Sequence, residues 1–309
     1  MSRVVVAIPT YRRPRGLERL LRALAELRTV SELRVLVADN DSERAEGCAT
    51  VSHLKSQFYP WPLDVIGVPE RGIAQARNAL LIYALDNYDF DFLAMLDDDE
   101  WPEADWLEAF LDVARNTKAD ALHGAVVPDF EIKPGKWAGA CRGLSSWRGK
   151  TGPVAMIHST SNVLVRHDAL TPLDRPYFDS RFALTGGEDK DFFTRLANGG
   201  ARFAWADRAV VHAHVPASRS NPRWALQRAF RIGNSDMRVF IKYERGLIGR
   251  ARESAKIAAA LVLSPVAALF VAPLASRRMA PLCKFARAAG KLAALFGARY
   301  DEYAVTHGR

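Results

Sequence analysis

The most restrictive feature of the sequence is a regular alternation, in its first half, of short apolar runs with longer segments of helical periodicity. Strands are predicted at residues 4–9, 33–39, 63–69 and 92–96, and helices at 16–27, 71–85 and 102–115. In the first helix, five leucines recur at helical spacing between Arg and Glu residues. Strands alternating with helices predict an α/β fold built on a parallel sheet.

Charge divides the chain into two regions. The net charge of +8 is concentrated near the C-terminus, where residues 219–256 carry ten Lys and Arg against three acids and residues 276–299 carry six against none. The remaining body is mildly acidic, so the basic region is expected to have its own partner. We predict one domain at 1–220 and a helical, membrane-associating region at 221–309.

Cysteine usage and the N-terminus predict a cytosolic location. Cys48, Cys141 and Cys283 lie far apart in the sequence without CxxC spacing, which favours a reducing compartment and no structural zinc. Only five apolar residues in a row, 4–8, precede the first proline, too few for the core of a signal peptide.

Residues 257–275 form an uncharged stretch close to the length of a membrane-spanning helix. Pro265 and Pro273 are expected to break or kink it, and basic clusters flank it on both sides. A single span would place one basic cluster outside the cell, so a re-entrant or interfacial segment on the cytoplasmic face is favoured. A buried helix that covers the sheet is the other alternative.

The stretch MLDDDEWP, residues 95–102, places four acidic side chains directly after the fourth predicted strand. Alternate residues of an extended chain point the same way, so Asp97 and Asp99 are expected to converge on one ligand while Asp98 faces elsewhere. Carboxylates suit Mn²⁺ or Mg²⁺, which keep positions open for phosphate oxygens. The alternative is an acidic turn capping a helix that begins at Pro102.

Two polar residues stand out in the first half of the chain. Asp39 ends the second strand, where it forms either an Asx-type turn or a hydrogen bond to a nucleotide base or ribose. Arg77 lies on the apolar stripe of its helix, so its guanidinium either snorkels to the edge or pairs with a negative group such as a diphosphate.

Two later segments supply a candidate base and a further ligand. GGEDKDFF, residues 186–193, contains three carboxylates that either favour a helix N-terminus or include a general base for an attacking hydroxyl. His212 and His214 alternate after two valines, so both are expected to face one side. Beside an acidic metal site, His212 becomes a candidate ligand or diphosphate contact.

Six motifs in order resemble those of the family 2 glycosyltransferases, inverting sugar-nucleotide enzymes of GT-A fold. The resemblance implies a Rossmann-like mixed sheet flanked by helices. The motifs are IPTYRRP, VLVADNDS, RGIAQARN, LAMLDDDEWPEADWL, TGGEDKDFF and WADRAVVHAHVP. The resemblance covers about residues 1–215 and points to bacterial succinoglycan-type exopolysaccharide glucosyltransferases.

The resemblance implies a role for each candidate residue. It makes Asp189 the catalytic base and Asp97, Asp99 and His212 the ligands of Mn²⁺ or Mg²⁺. It assigns the nucleotide sugar to Pro9, Thr10, Tyr11, Asp39, Arg77, Asp97 and Asp98.

The reaction that the resemblance implies is transfer of a sugar, glucose in this subgroup, from a UDP-sugar to a hydroxyl of a polyprenyl-diphosphate-linked saccharide. The expected location is the cytoplasmic face of the inner membrane, where the protein is peripheral or re-entrant. A membrane surface is an expected partner and nucleic acid is not.

Two other classes remain open on the sequence. A nucleotidyltransferase would share the α/β scaffold and the acidic metal site, but the first strand lacks the glycine-rich signature expected of one. A nucleic-acid-binding or membrane-binding protein with a vestigial site would use the basic region, in which Trp224, Phe230, Phe240 and Tyr243 are interleaved with cations.

Overall fold

The first half of the chain forms four parallel strands connected by helices. The computed structural model describes residues 1–141, 143–183, 185–244, 246–274 and 276–298, so the end of the predicted C-terminal region, 299–309, lies outside the described residues. The elements in order are β1 (Arg3–Thr10), α1 (Pro14–Ala25), β2 (Glu32–Asp39), α2 (Glu46–Ser56), β3 (Leu63–Gly67), α3 (Ile73–Asn87) and β4 (Phe92–Met95). The strands lie in the order β3-β2-β1-β4, with β1 central and parallel to β2 and β4. The strand and helix assignments for this half are confirmed.

The second half completes a mixed sheet. Its elements are β5 (Glu100–Pro102), α4 (Trp106–Thr117), β6 (Ala121–Phe130), β7 (Gly152–Val154), β8 (Val163–Arg166), α5 (His167–Leu170), α6 (Glu188–Asn198) and β9 (Phe203–Val215). Beyond β4 the order continues β8-β6-β9-β5, and β7 pairs with β9. β8 runs antiparallel to both of its neighbours, and β6 and β9 are parallel. The predicted α/β, GT-A-like mixed sheet flanked by helices is therefore observed.

The structure corrects two details of the sequence interpretation. Pro102 does not begin a helix: it ends β5, where it pairs with Val211, and α4 begins at Trp106. No strand was predicted from the sequence at residues 121–130, where the structure has the ten-residue strand β6. Its sequence, ALHGAVVPDF, lacks regular alternation because glycine, proline and polar residues interrupt it.

Apolar side chains cover both faces of the sheet. The leucine stripe of α1 is buried against one face, together with Val4, Val6 and Ile8 of β1. The other face packs α3 and α6 onto the intervening β1 residues Val5 and Ala7. Because successive strand residues point to opposite faces, the fully apolar run of β1 reflects burial on both sides.

Three C-terminal helices follow the sheet: α7 (Pro222–Tyr243), α8 (Leu247–Val271) and α9 (Met279–Leu295). α7 is anchored to α6, because Lys190 donates to Asp236 at 2.7 Å and Lys242 donates to the buried Asp191 at 2.6 Å. α9 crosses α7 at very short range. A Cβ on Gly290 would lie 1.9 Å from the carbonyl oxygen of Phe230, so only glycine fits there.

α8 is the one helix in the described part of the chain that is long and apolar enough to cross a membrane. It continues through Pro265 rather than breaking there. Ile257 and Ser264 are its buried residues, whereas Leu263, Leu269 and Phe270 are largely exposed. The interpretation as a buried helix covering the sheet is therefore wrong.

Candidate active site

A cavity of about 430 Å³ opens at the carboxyl ends of β1 and β4. This is the edge at which open α/β sheets bind ligands. Its lining includes most of the predicted site residues, namely Pro9, Thr10, Tyr11, Arg77, Asp97, Asp98, Asp99 and Asp189. The structure thus brings together segments that lie up to 180 positions apart in the sequence.

Asp98 is buried and faces the end of β1. Its carboxylate accepts hydrogen bonds from the Thr10 hydroxyl at 2.9 Å, the Tyr11 backbone N–H at 3.3 Å and the Arg13 guanidinium at 2.8 Å. Burial raises the pKa of Asp98 to about 6 against the opposing charge of Arg13. Since the protein itself holds this carboxylate, we expect Asp98 to position Tyr11 and Arg13 rather than to contact a ligand directly.

Asp97 and Asp99 take different arginine partners, and Asp99 shares Arg13 with Asp98, so the expected separation of Asp98 from the other two is not observed. Asp97 accepts from Arg77 at 3.0 Å, and Asp99 lies 3.0 Å from Arg13 and 3.6 Å from Arg219. Burial raises the pKa of Asp97 even beside Arg77. In this structure the positive partners of the crowded acids are therefore arginines.

Asp189 lies at the N-terminus of α6, opposite the acidic cluster. Gly187, at φ +108°, is the N-cap, a conformation that favours glycine. The Asp189 carboxylate accepts from the Thr160 hydroxyl at 2.9 Å and from Arg77 at 2.5 Å. It is thus held in one orientation while its side chain remains partly exposed to the cavity.

Arg77 connects the two acidic groups. Its guanidinium contacts Asp97, Asp189 and, at 2.8 Å, the buried Glu188. The side chain is only 5% exposed, so the snorkelling interpretation of Arg77 is wrong. Pairing with negative groups is observed, although these groups are carboxylates of the protein. A contact with a diphosphate stays a prediction.

Two predicted residues lie away from the cavity lining. Asp39 is buried, and its carboxylate accepts backbone N–H groups of Asp41 at 3.1 Å and Cys48 at 2.9 Å, the arrangement of an Asx-type turn. Its contact with a nucleotide base stays a prediction. His212 stacks on Trp101 and lies 3.1 Å from Glu103, so the structure does not place it with the proposed metal ligands.

The second histidine of this segment, His214, belongs to the cavity. It lines the cavity, and its backbone N–H donates to the carbonyl of Asp99 at 2.8 Å. Both histidines belong to β9 and pair in register with β6, but they have different neighbours. β5 pairs with β9 as far as Ala213, so His212 lies opposite Trp101, whereas His214 lies beyond that pairing.

The residues present fit a divalent cation that also binds substrate phosphates. Among the described residues no group of three or more His, Cys, Asp or Glu side chains is arranged to hold a metal by itself. Mg²⁺-type sites, however, commonly use one or two carboxylates and take further ligands from phosphate and water. Asp97 and Asp99 supply such oxygens, and the buried Nδ1 of His214 has no hydrogen-bond partner in the described part of the chain.

The sequence interpretation missed several residues of the lining. Asn40 holds the 68–72 segment by donating to the carbonyls of Val68 and Glu70 and accepting from Gly72. Arg71 from this segment lies over the ring of Tyr11, 4.9 Å from its centroid.

The far wall of the cavity comes from α7, through Trp224, Arg228 and Arg231. Their spacing places them on one helix face, a signal that the sequence did contain.

Comparison with known proteins identifies the family. The glycosyl transferase family 2 model matches residues 5–180, more than half of the chain. The chain belongs to glycosyl transferase family 2. The alternative interpretations as a nucleotidyltransferase or a vestigial binding protein are therefore set aside.

A curated relative and two solved structures are similar to this glycosyltransferase. Succinoglycan biosynthesis protein ExoM of Rhizobium meliloti (strain 1021) is 36% identical over 259 residues, which cover 82% of this chain and 79% of ExoM. The mannosyltransferase PcManGT from Pyrobaculum calidifontis, in complex with GDP-Man and Mn²⁺, superposes with a TM-score of 0.58 at 19% identity over 94% of this chain and 87% of that one. S. aureus TarS 1–349 in complex with UDP superposes with a TM-score of 0.52 at 18% identity, over 96% of this chain and 93% of that one. The two structures support the shared fold.

Proposed function

We propose that this glycosyltransferase is a metal-dependent, inverting hexosyltransferase. It moves a sugar, glucose in the first instance, from a UDP-sugar to a hydroxyl of a polyprenyl-diphosphate-linked saccharide in exopolysaccharide synthesis. The observation that carries the proposal is one cavity in which Asp189 faces Asp97 and Asp99. The relative ExoM, a succinoglycan biosynthesis protein, supports the assignment to exopolysaccharide synthesis.

Asp189 is the proposed general base. Thr160 and Arg77 orient its carboxylate, and Asp189 takes the proton from the acceptor hydroxyl as that oxygen attacks the anomeric carbon. A single displacement from the face opposite the leaving group inverts the configuration at that carbon. Asp97 and Asp99 would hold Mn²⁺ or Mg²⁺ together with phosphate and water oxygens, and the ion would supply positive charge that stabilises the departing diphosphate.

The nucleotide is proposed to bind beside Tyr11, Asn40 and Arg71. UDP is proposed because TarS was solved with UDP, whereas PcManGT was solved with GDP-Man. Calorimetric titration with UDP and with GDP, each in Mn²⁺ and in chelator, distinguishes a UDP-sugar donor from a GDP-sugar donor. Metal-dependent binding of UDP alone is expected, and metal-dependent binding of GDP alone would reverse the donor assignment.

The acceptor diphosphate is proposed to bind the α7 wall. Arg228 lies over the Trp224 ring, 5.2 Å from its centroid, and a Cβ on Gly143 would lie 2.6 Å from its Nε. Tight packing on both sides holds the guanidinium ready for phosphate oxygens. Arg228→Gln is expected to raise the KM for lipid-linked acceptor at least tenfold without changing the Kd for UDP. Arg223→Gln, an exposed arginine of the same helix, is the matched control.

The helix α8 is proposed to lie along an anionic membrane surface. It is 25 residues long, about 37 Å at 1.5 Å per residue, and exposed basic residues lie near both ends at Arg250, Arg252, Arg277 and Arg278. A helix lying in the interface keeps both basic ends against anionic lipid, whereas a spanning helix would separate them. This arrangement supports a peripheral position on the cytoplasmic face of the inner membrane.

Vesicle co-sedimentation tests the membrane contact. Replacing Leu263, Leu269 and Phe270 by Asn removes exposed apolar area, so binding to vesicles containing an anionic phospholipid is expected to fall at least tenfold. Unchanged sedimentation of this variant would contradict the proposal that this exposed apolar face of α8 contacts the membrane.

Residues 1–220 are proposed as the catalytic domain and 221–309 as the membrane-associating region. The boundary requires one qualification, since α7 forms a wall of the cavity and α9 packs on α7. Deleting residues 254–309 to release the protein from membranes would also remove α9. Substitutions on α8 are therefore the cleaner test.

A further inference from the structure

Two cysteines that are distant in the sequence lie in contact. The Sγ of Cys141 is 3.7 Å from the Sγ of Cys283, across 142 positions of the chain. Cys141 directly follows the 3-10 turn Lys136–Ala140, and Cys283 lies in the second turn of α9. Both thiols are free, and the separation in the sequence gave no sign of the pairing.

The pair lies in a small apolar cluster that joins four parts of the fold. This cluster is formed by Ala138, Cys141, Leu144, Val215, Ala225 and Met279, with Cys283 packed against it. Cys141 is fully buried, whereas Cys283 is half-buried and reachable by a small oxidant. The two thiols therefore differ in access as well as in position.

The two thiols also differ in how readily they ionise. Either sulfur can donate the hydrogen bond that joins them, and this contact together with burial raises the pKa of Cys141. Because burial favours the neutral thiol, the more deeply buried Cys141 is the poorer nucleophile of the two.

We propose that Cys141 and Cys283 form a reversible intramolecular disulfide when the protein meets a hydroperoxide. The Cys283 thiolate attacks one oxygen of the peroxide, the O–O bond breaks, and an alcohol or water leaves as Cys283 becomes a sulfenic acid. The Cys141 sulfur then attacks the Cys283 sulfur, gives up its proton and expels water. Two thiols are oxidised by two electrons, and the peroxide accepts both.

The geometry requires only a small movement. A disulfide bond is about 2.05 Å long, so the two sulfurs must approach by about 1.7 Å from contact. Cys141 lies in an irregular segment, held by the bond from its N–H to the Ala138 carbonyl, whereas Cys283 belongs to a helix fixed against α7. We expect the segment carrying Cys141 to move toward α9.

The bond would tie the wall of the cavity to α9. Gly143, Ser145, Ser146 and Trp147 follow Cys141 within six residues, and all four line the cavity. In a reducing cytosol the thiols stay free, so the cross-link forms only under oxidative conditions. The proposal concerns the cysteines themselves and does not depend on the assigned sugar or acceptor.

Mass spectrometry of the full-length protein tests the proposal. After brief treatment with hydrogen peroxide and alkylation, the wild type and Cys48→Ser are expected to lose two hydrogens and to yield a Cys141–Cys283 cross-linked peptide that dithiothreitol removes. Cys283→Ser is expected to lose none. Cys141→Ser is expected to leave a sulfenic acid at Cys283 that dimedone traps.

Three results would overturn the proposal: both thiols remaining fully alkylatable, a cross-link that involves Cys48, or a disulfide found only between molecules on non-reducing gels. Hydrogen exchange supplies a second readout that is independent of activity. Oxidation is expected to slow exchange in peptides from residues 136–151 of the wild type, and to leave Cys283→Ser unchanged.

Discussion

Replacing Asp189 by Asn separates a catalytic role from a structural one. Asn keeps an oxygen at the position that accepts from Thr160 and Arg77, so the side chain retains both hydrogen bonds and nearly the same volume. Arg77 also keeps its contacts with Asp97 and Glu188. The variant loses the basic site and the 3.3 Å hydrogen bond from the Thr160 backbone N–H, while the other contacts of the side chain are retained.

The expected loss follows from the role of a positioned base. General bases contribute about 10²–10⁴-fold, so kcat should fall by this factor, about 3–5.5 kcal/mol in barrier height. Initial rates with a UDP-sugar and a lipid-linked acceptor measure it, and calorimetry measures binding of UDP with Mn²⁺. The Kd for UDP is expected to change less than about twofold, since the proposed nucleotide contacts lie at Tyr11 and Arg71.

Glu188→Gln is the matched control. Glu188 shares the Arg77 guanidinium with Asp189 but does not line the cavity, so a loss of rate below about tenfold is expected. A fall in UDP affinity equal to the fall in rate for Asp189→Asn would show that Asp189 organises the site instead of taking a proton. A rate within tenfold of the wild type would refute its role as base.

Three further predictions concern other parts of the molecule. Asp99→Ala should abolish the Mn²⁺ dependence of UDP binding in calorimetry, and an unchanged dependence would contradict its role as ligand. Gly290→Ala should lower the free energy of unfolding by about 1–3 kcal/mol in urea titrations, since the added Cβ meets the carbonyl of Phe230; a change below 0.5 kcal/mol, roughly that of a surface substitution, would contradict the close crossing. Burial and the charge of Asp189 raise the pKa of Glu188 to about 8, so the stability linked to its protonation is present below about pH 4.5 and lost as pH rises through 8. The Tm of Glu188→Gln should therefore fall less than that of the wild type between pH 6 and 9. Parallel plots of Tm against pH for the two proteins would refute the link between Glu188 protonation and stability.

Elements with strong local periodicity were predicted well. The pattern of neighbouring residues is enough to predict these elements: a leucine stripe indicates the helix α1, and β-branched runs indicate the strands β1 and β2. β6 was missed because its polar and glycine positions give no clear period, and its pairing with β8 and β9 is what makes it a strand. Pro102 was misassigned because proline suits both a first helical turn and the end of a short strand.

The sequence by itself determined which strand ends carry acidic side chains. Strand ends are set by local pattern, and the carboxyl ends of parallel strands meet at one edge, so Thr10, Asp97 and Asp99 were predictable as neighbours.

Only the tertiary structure decided which partner each group takes. It placed Arg77 among three carboxylates, His214 rather than His212 at the cavity, the arginines of α7 opposite the acids, and Cys141 against Cys283. The physical reason is that these contacts join residues up to 142 positions apart. They depend on how whole helices and strands pack together, and the periodicity of neighbouring residues in the sequence carries no information about that packing.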